Sequence, residues 1–254
     1  GDGAAARCDP RAGTARQPQP LRGGWVQTHH RCGLQRVEHG AAPGHASQSA
    51  RASARPAVPV ASAPQSYAQR AEDASCLADL GASGARFDPL PDTYAAPGCN
   101  KLGTVQLMAL AGDRAPLGIA NLGPVQCNVA KAFGDWARFG VDRAAREVLG
   151  SPLARIETMG SYSCRNVAGS GRLSAHATAQ AVDIAAFVLE DGRRVSVLGD
   201  WSAGTTEERR FLRLVHASAC KRFGTTLGPD YNAAHRDHFH LEATLRSGGR
   251  GFCR

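Results

Sequence analysis

The nine residues 181–189 read AVDIAAFVL, and eight of them are apolar. A run of this length, containing β-branched and aromatic side chains, predicts a buried strand. The sequence EDGR at 190–193 then predicts a turn, and RVSVL at 194–198 predicts a returning strand. The resulting hairpin carries one carboxylate, Asp183, in a position where an acid is costly unless it is paired or bound to a cation.

Further strands and helices are predicted on both sides of this hairpin. Apolar and β-branched runs predict three more strands, at 104–110, 153–159 and 239–243. Helical periodicity predicts helices at 68–80, 128–149 and from about 206 to 222. The segment DPLPD at 88–92 is expected to break the chain after the first helix. Together these elements predict an α+β domain built on a small, mostly antiparallel sheet with flanking helices.

Residues 1–66 differ in composition from the rest of the chain. They are rich in Ala, Arg, Gly, Pro, Ser and Gln and lack helical or strand periodicity, so we predict a disordered tail before a domain of residues 67–254. The formal net charge of +8 is concentrated in this tail, which holds eight Arg against three acidic residues. The domain is nearly balanced, and its basic residues do not alternate with aromatic ones, so a nucleic acid is not an expected partner.

The eight cysteines indicate an oxidising compartment. Six of them lie in the predicted domain, widely spaced and without a C-x-x-C pair: Cys76, Cys99, Cys127, Cys164, Cys220 and Cys253. We expect disulfides, with buried thiols as the alternative, and the sequence does not choose among the pairings. Disulfides would place the protein in the periplasm or outside the cell. The chain contains no apolar stretch long enough for a transmembrane helix and no visible signal peptide.

The segment 235–242, HRDHFHLE, places two histidines on one face of a short strand. Since side chains two apart share a face, His238, His240 and Glu242 point one way while Phe239 and Leu241 point into the core. Two adjacent imidazoles would repel each other when both are protonated, whereas a metal ion can use a neutral imidazole as a ligand. We expect Glu242 to be an ordinary surface charge of this strand.

The segment 174–184, SAHATAQAVDI, supplies two further ligand types. His176 precedes Asp183 by seven residues, in a stretch of small side chains that allow close approach to a site. His176, Asp183 and one histidine of the second segment would make three protein ligands, the number typical of a catalytic zinc with an open position for water. Zinc would lower the pKa of that water to about 7. Chance spacing of structural histidines is the alternative.

These motifs resemble a known zinc peptidase superfamily. The order YSCR at 162–165, S-x-H at 174–176, Asp183 and DHFH at 237–240 is similar to the superfamily named for lysostaphin, D-Ala-D-Ala metallopeptidases and hedgehog. More closely, MGSYSCRN, LSAHATAQAVDIA and LGPDYNAAHRDHFHLE resemble the extensin-like C-terminal domain family, over roughly 76–253. The resemblance implies one zinc ion held by His176, Asp183 and His240 in a hedgehog/DD-peptidase-like fold.

The resemblance also implies roles for other positions. His238 matches a second histidine near the metal, and Asp237 matches a general-base Glu, so the base is either of the two. Arg165 matches an arginine that holds the substrate and polarises its carbonyl, and Ser174 matches a polar position that orients the substrate or its loop. Two departures are visible: Ala179 replaces a common Gly, and Asp237 is one methylene shorter than Glu.

Taken with these motifs, the resemblance implies a zinc-dependent hydrolase of peptide or amide bonds in bacterial peptidoglycan, of carboxypeptidase or endopeptidase type. Peptidoglycan peptides are the expected partners, and a monomer is the expected state. The alternative is a non-catalytic cell-wall-binding or scaffolding module that keeps the zinc-peptidase fold. A polysaccharide hydrolase would need two opposed carboxylates. Asp237 and Glu242 are candidates for that pair, but their place beside three metal-type ligands disfavours it.

Overall fold

A computed structural model describes residues 67–243 and 251–254. The predicted disordered tail at 1–66 lies outside the described residues. Among the helices that are described, none is both long and apolar enough to span a bilayer.

The hairpin that begins at residue 181 forms the middle of the sheet. Strands β8 (Ala181–Leu189) and β9 (Arg194–Ser196) pair antiparallel, as predicted. The second strand is shorter than expected because Ser196 caps a helix, α3 (Val197–Ala203). Its Oγ accepts a hydrogen bond from the Gly199 N–H at 3.1 Å, which satisfies one of the free amides of the first turn. The prediction of strand at residues 197 and 198 is therefore wrong.

The strands assemble into one large mixed sheet. In the described part of the chain, ten strands join in the order β1-β4-β5-β7-β8-β11-β10-β12, with β6 added to β4 and β9 to β8. The remaining bounds are β1 Arg86–Pro89, β4 Thr104–Leu110, β5 Leu117–Ala120, β6 Val125–Gln126, β7 Leu153–Gly160, β10 Thr225–Leu227, β11 Phe239–Glu242 and β12 Phe252–Cys253. A separate hairpin pairs β2 (Thr93–Ala96) with β3 (Cys99–Lys101).

The α+β class is confirmed, whereas the prediction of a small sheet is wrong. The unpredicted strands are two to four residues long, too short to produce an alternating pattern. The expected chain break at 88–92 also overlaps β1, whose last residue is Pro89. Proline is tolerated there because β1 is an edge strand. Most pairings are antiparallel, and β5 with β7 and β10 with β12 are parallel.

Three predicted helices cover the sheet. They are α1 (Tyr67–Ala82), α2 (Cys127–Trp136) and α4 (Thr206–Ala219), and α2 continues in π-helical turns at Ala137–Asp142 and Ala145–Leu149. The apolar face of α2 is buried, including Phe133 and Trp136, whereas Phe139 in the following turn is exposed. The Trp136 indole N–H donates to the Val215 carbonyl at 2.9 Å, which ties α2 to α4.

Three disulfides are present among the described residues: Cys76–Cys127, Cys99–Cys164 and Cys220–Cys253. They close loops of 51, 65 and 33 residues, and on the chain-entropy account each stabilises the fold by about 4 kcal/mol. Bridges of this kind are typical of proteins that work in oxidising compartments. One of them, Cys99–Cys164, fixes the chain immediately before Arg165.

Candidate metal centre

Strand register brings the two predicted motifs together. In the β8–β11 pair, His240 lies opposite Asp183, and Phe239 lies opposite Ile184. Residues that face each other across a ladder project to the same side of the sheet, so Asp183 and His240 share one face while Ile184 and Phe239 fill the core. The buried acid of β8 therefore meets an imidazole rather than apolar side chains.

The donor atoms of His176, Asp183 and His240 converge on one point. His240 Nδ1 is 2.9 Å from Asp183 Oδ1, His176 Nε2 is 3.1 Å from Asp183 Oδ2, and the two histidine nitrogens are 3.2 Å apart. All three residues are buried. Tetrahedral zinc ligands with bonds of 2.0–2.2 Å are about 3.4 Å from one another. The set is therefore close to the spacing that a zinc-sized ion needs.

His176 is held by a short 3-10 turn, Ala175–Thr178, which ends at Ala179 in the left-handed conformation (φ 56°). Glycine adopts this conformation without strain, whereas an alanine does so at some cost. This explains why a glycine would be suited to position 179, where this chain has Ala179. The His176 Nδ1–H donates to the Ser161 carbonyl at 2.5 Å and so leaves Nε2 free to act as a ligand. Ser174 Oγ accepts from the His176 backbone N–H, so this buried serine positions the turn.

His238 and Asp237 form an ordered pair beside these ligands. His238 Nδ1 is hydrogen-bonded to Asp237 Oδ1 at 2.8 Å, and its Nε2 is 3.6 Å from Asp183 Oδ1. The hydrogen bond from His238 is the main reason that the pKa of Asp237 lies below its ordinary value. The imidazole of His238, rather than the carboxylate of Asp237, therefore faces the three donors.

Opposing effects set the charges of the central pair. Burial favours the neutral form of both residues, but the close contacts of Asp183 with the side chains of His176 and His240 outweigh it and hold the pKa of Asp183 well below the usual range. For His240, burial is likewise outweighed by the hydrogen bond to Asp183 and by the nearby carboxylate of Glu242, which together raise its pKa to about 9. Without an ion, the pair is an imidazolium and a carboxylate, and a metal must displace this proton to bind.

Glu242 is part of the site, and the expectation of an ordinary surface charge is wrong. Its Oε2 lies 3.7 Å from His240 Nε2, on the ring edge opposite the Nδ1 that faces Asp183. A carboxylate behind a ligating histidine is a common way to fix the orientation of the ring. The signal was present in the sequence, since Glu242 occupies the same strand face as His238 and His240.

The ring of His235, the first residue of the 235–242 segment, contacts the site. Its centroid lies 5.1 Å from that of His238, 5.9 Å from that of His240 and 5.4 Å from that of Tyr231. Burial, followed by the nearby charges of His238 and His240, lowers the pKa of His235 to about 4. His235 is therefore a neutral ring that packs against both imidazoles at neutral pH.

Arg165 approaches the centre from the solvent side. Its guanidinium is 3.9 Å from Asp183 Oδ2, and the side chain is about half exposed. Arg165, Ser174, His238 and His240 line a groove of roughly 320 Å³.

A second group with metal-type side chains, His216 with Cys220 and Cys253, has both sulfur atoms in a disulfide. Its cysteines therefore provide no thiolate.

The fold and the site define an α+β domain with a buried His–Asp–His centre, one member of which, His240, lines a groove. Residues 74–254 match the family model described as "Extensin-like protein C-terminus", and the chain belongs to this family. No curated protein matches the chain, and no solved structure matches it.

Proposed function

We propose that this protein is a zinc-dependent hydrolase of peptide or amide bonds in bacterial cell-wall peptidoglycan. The observation that carries the proposal is the convergence of donor atoms from His176, Asp183 and His240, with contacts of 2.9–3.2 Å, beside an ordered His238–Asp237 pair. His238 and His240 line the adjoining groove. The motif order that resembles the lysostaphin/D-Ala-D-Ala metallopeptidase/hedgehog superfamily supports the same assignment, and with it a hedgehog/DD-peptidase-like site.

The chemistry of the donor set favours zinc. Two imidazole nitrogens and one carboxylate oxygen suit zinc better than magnesium or calcium, which prefer oxygen ligands. Three protein ligands leave one position for water or substrate. When bound at His176, Asp183 and His240, zinc would polarise the scissile carbonyl and lower the pKa of a coordinated water to about 7.

His238 is the general base of the proposed reaction. Its Nδ1–H is donated to Asp237, which leaves the Nε2 lone pair directed toward the ligand set. His238 accepts a proton at Nε2 from the attacking water and returns it to the leaving amine. Asp237 fixes the tautomer and stabilises the imidazolium, the role that a carboxylate has behind a catalytic histidine in other hydrolases.

Arg165 provides positive charge on the open side of the site. Its guanidinium is near Asp183 and half exposed to the groove, so it can donate hydrogen bonds to a carbonyl oxygen that gains negative charge during attack. Ser174 acts indirectly, because its hydroxyl holds the turn that carries His176. The disulfides support work in the periplasm or outside the cell, where peptidoglycan is found.

A non-catalytic wall-binding module is the second candidate, and one observation favours it. Asp183, His176 and His240 satisfy one another by hydrogen bonds and opposite charges without an ion. A module that only binds the wall could keep this network as a structural element. The zinc proposal and this alternative differ in whether the protein turns over a substrate.

The test uses the full chain loaded with zinc and a set of cross-linked and uncross-linked muropeptides. We expect cleavage that a chelator stops and that zinc restores. His238→Ala should keep zinc and lower turnover by roughly 10²–10⁴-fold, because it removes a general base. A zinc-replete wild type that leaves every muropeptide intact, but sediments with purified sacculi, would overturn the hydrolase assignment in favour of the binding module.

A further inference from the structure

The wall of the groove next to Arg165 is a small hairpin made by residues 165–174. The Ser174 N–H donates to the Arg165 carbonyl at 3.0 Å, and the Val167 N–H donates to the Arg172 carbonyl at 2.9 Å. Between these bonds, Asn166 and Leu173 form an antiparallel bridge. The two arms therefore hold a defined register, with Arg165 opposite Ser174 and Val167 opposite Arg172.

The two faces of this hairpin have different surroundings. By strand alternation, Arg165, Val167, Arg172 and Ser174 share one face. These four residues line the groove, whereas Asn166 and Leu173 do not. Both arginines of the hairpin are thus presented on the side of the ligand set.

The opposite face anchors the hairpin to the body of the domain. Leu173 packs so closely over Gly98 that a Cβ at position 98 would collide with its Cδ1. The Cys99–Cys164 disulfide ties the base of the hairpin to the same region. The arginine-bearing face is therefore supported by the neighbouring β2–β3 hairpin, and the positions of Arg165 and Arg172 are set by the fold.

Arg172 carries a charge that the described residues do not neutralise. Many exposed arginines of this protein pair with carboxylates, such as Arg138 with Asp113 and Arg213 with Asp230. Arg172 is exposed and forms no ion pair with any residue in 67–243 or 251–254. Among the described residues, Glu242 is the one carboxylate that lines this groove, and it lies against His240.

We infer that Arg172, beside Arg165, forms a subsite for the free terminal carboxylate of a peptide whose last bond is cut. The inference rests on the proposed function and narrows it to the carboxypeptidase type. Arg165 and Arg172 occupy diagonal positions of the hairpin, and such positions lie about 7–8 Å apart. Consecutive residues of a peptide are about 3.8 Å apart. The backbone separation of the two arginines is thus about two residue steps. Because both side chains are long and lie on one face of the hairpin, Arg165 can reach the scissile carbonyl while Arg172 reaches the carboxylate of the following residue.

The size and charge of the groove agree with this assignment. Its volume of roughly 320 Å³ lies at the lower end of the range for small-ligand sites, which suits the last two residues of a peptide better than a long strand. A guanidinium binds a carboxylate through paired, charge-assisted hydrogen bonds, and this geometry distinguishes a terminal carboxylate from an internal peptide bond.

The test compares three versions of one stem-peptide analogue ending in D-Ala-D-Ala. The first has a free terminal carboxylate, the second a terminal amide, and the third a free terminus with its internal acidic side chain amidated. The dissociation constant is measured with zinc-loaded His238→Ala protein, and kcat/KM with zinc-loaded wild type. Each measurement is repeated after Arg172→Gln, Arg172→Lys and the control Arg210→Gln, which removes an exposed arginine of α4 outside the groove.

We expect the terminal amide to bind about 10–100-fold more weakly than the free acid, since a charge-assisted hydrogen bond is lost. Arg172→Gln should reduce the affinity for the free acid to that for the amide, Arg172→Lys should keep part of the difference, and Arg210→Gln should keep all of it.

Two results would overturn the subsite: equal affinity of the wild type for acid and amide, or an unchanged preference for the acid in Arg172→Gln. Cleavage of the peptides would still support the hydrolase in either case. If amidating the internal acidic side chain, rather than the terminus, weakened binding, the assignment of Arg172 to the terminal carboxylate would be overturned. Failure to bind or cleave any of the peptides would overturn the proposed function itself, and the subsite with it.

Discussion

Asp183 and His240 lie directly opposite each other on antiparallel strands, with Asp183 Oδ1 2.9 Å from His240 Nδ1. Both side chains are buried, so their opposite charges interact with little screening by solvent. The same two atoms are the ones that would ligate a metal. The pair therefore has two states. Without a metal, protonated His240 and ionised Asp183 form an ion pair; with a metal, His240 has released its proton and both residues would act as ligands.

In the metal-free protein, this pair makes stability depend on pH. The pKa of His240 rises from 6.5 to about 9 on folding, so its charged form stabilises the fold fully below pH 6.5 and loses this effect as pH rises through 9. The pKa of Asp183 is lowered from 3.8, so its contribution is present above that pH and is lost as pH falls. We expect the free energy of unfolding in the presence of a chelator to fall by about 3 kcal/mol between pH 6.5 and 9.

The matched control for this pH dependence is Asp183→Asn. It removes the carboxylate with the larger effect on His240 and leaves Glu242, so the pKa of His240 should fall and the decline above pH 6.5 should become smaller. Urea unfolding of both proteins across this range measures the difference. An equal decline in wild type and Asp183→Asn would show that the charge of His240 does not depend on Asp183.

Glu242→Gln should weaken zinc binding about 10–100-fold, because the carboxylate behind the His240 ring supports its orientation and basicity. Competition with a chromophoric chelator measures this affinity directly. Glu190→Gln, in the exposed turn after β8, is the charge-matched control and should leave the affinity unchanged. If Glu242→Gln bound zinc as tightly as wild type, Glu242 would be a groove residue with no influence on the metal.

Asp237→Asn should retain zinc and lower turnover by roughly 10²–10⁴-fold, because the amide no longer holds the His238 tautomer or stabilises its charged form. Metal analysis and muropeptide kinetics on the same preparation separate the two effects. A variant that lost its zinc would place Asp237 in the metal site instead.

Replacing both Cys99 and Cys164 by Ala should lower the free energy of unfolding by about 2–5 kcal/mol, as is usual when a native disulfide is removed. Zinc content should stay the same, because the ligands lie on β8, β11 and the turn at residue 176. The corresponding Cys220 and Cys253 double variant is the control for loss of a disulfide elsewhere. Loss of zinc from the first variant alone would mean that the base of the 165–174 hairpin holds the metal site together.

The sequence predicted the elements that bear the site better than it predicted the sheet. Strand β8 is a long apolar run and β11 alternates clearly, so both were visible, and so was the unusual acid within β8. The short strands β1, β10 and β12 are two to four residues long, and pairing with neighbours rather than their own pattern makes them strands. Disulfide pairing likewise depends on which chain segments meet.

Within the site, the sequence supplied residue types but not their orientations. The proposed general base stayed open between His238 and Asp237 because the resemblance matches both positions and Asp237 is shorter than Glu. Both residues precede β11, where no strand pattern predicts their side-chain orientation. Glu242 was predicted to be an ordinary surface charge, although its position two residues after His240 places it on the same strand face. The strand register that places His240 opposite Asp183 depends on long-range pairing, which no local pattern determines.

The metal content of the full chain, purified under oxidising conditions and saturated with zinc, tests the central claim most directly. The comparison is with His176→Ala, which removes one of the three convergent ligands. We predict about one zinc per chain in wild type and little in the variant, with both proteins folded. A folded wild type that takes up no zinc, or a His176→Ala variant that retains it fully, would contradict the assignment of His176, Asp183 and His240 as a metal centre.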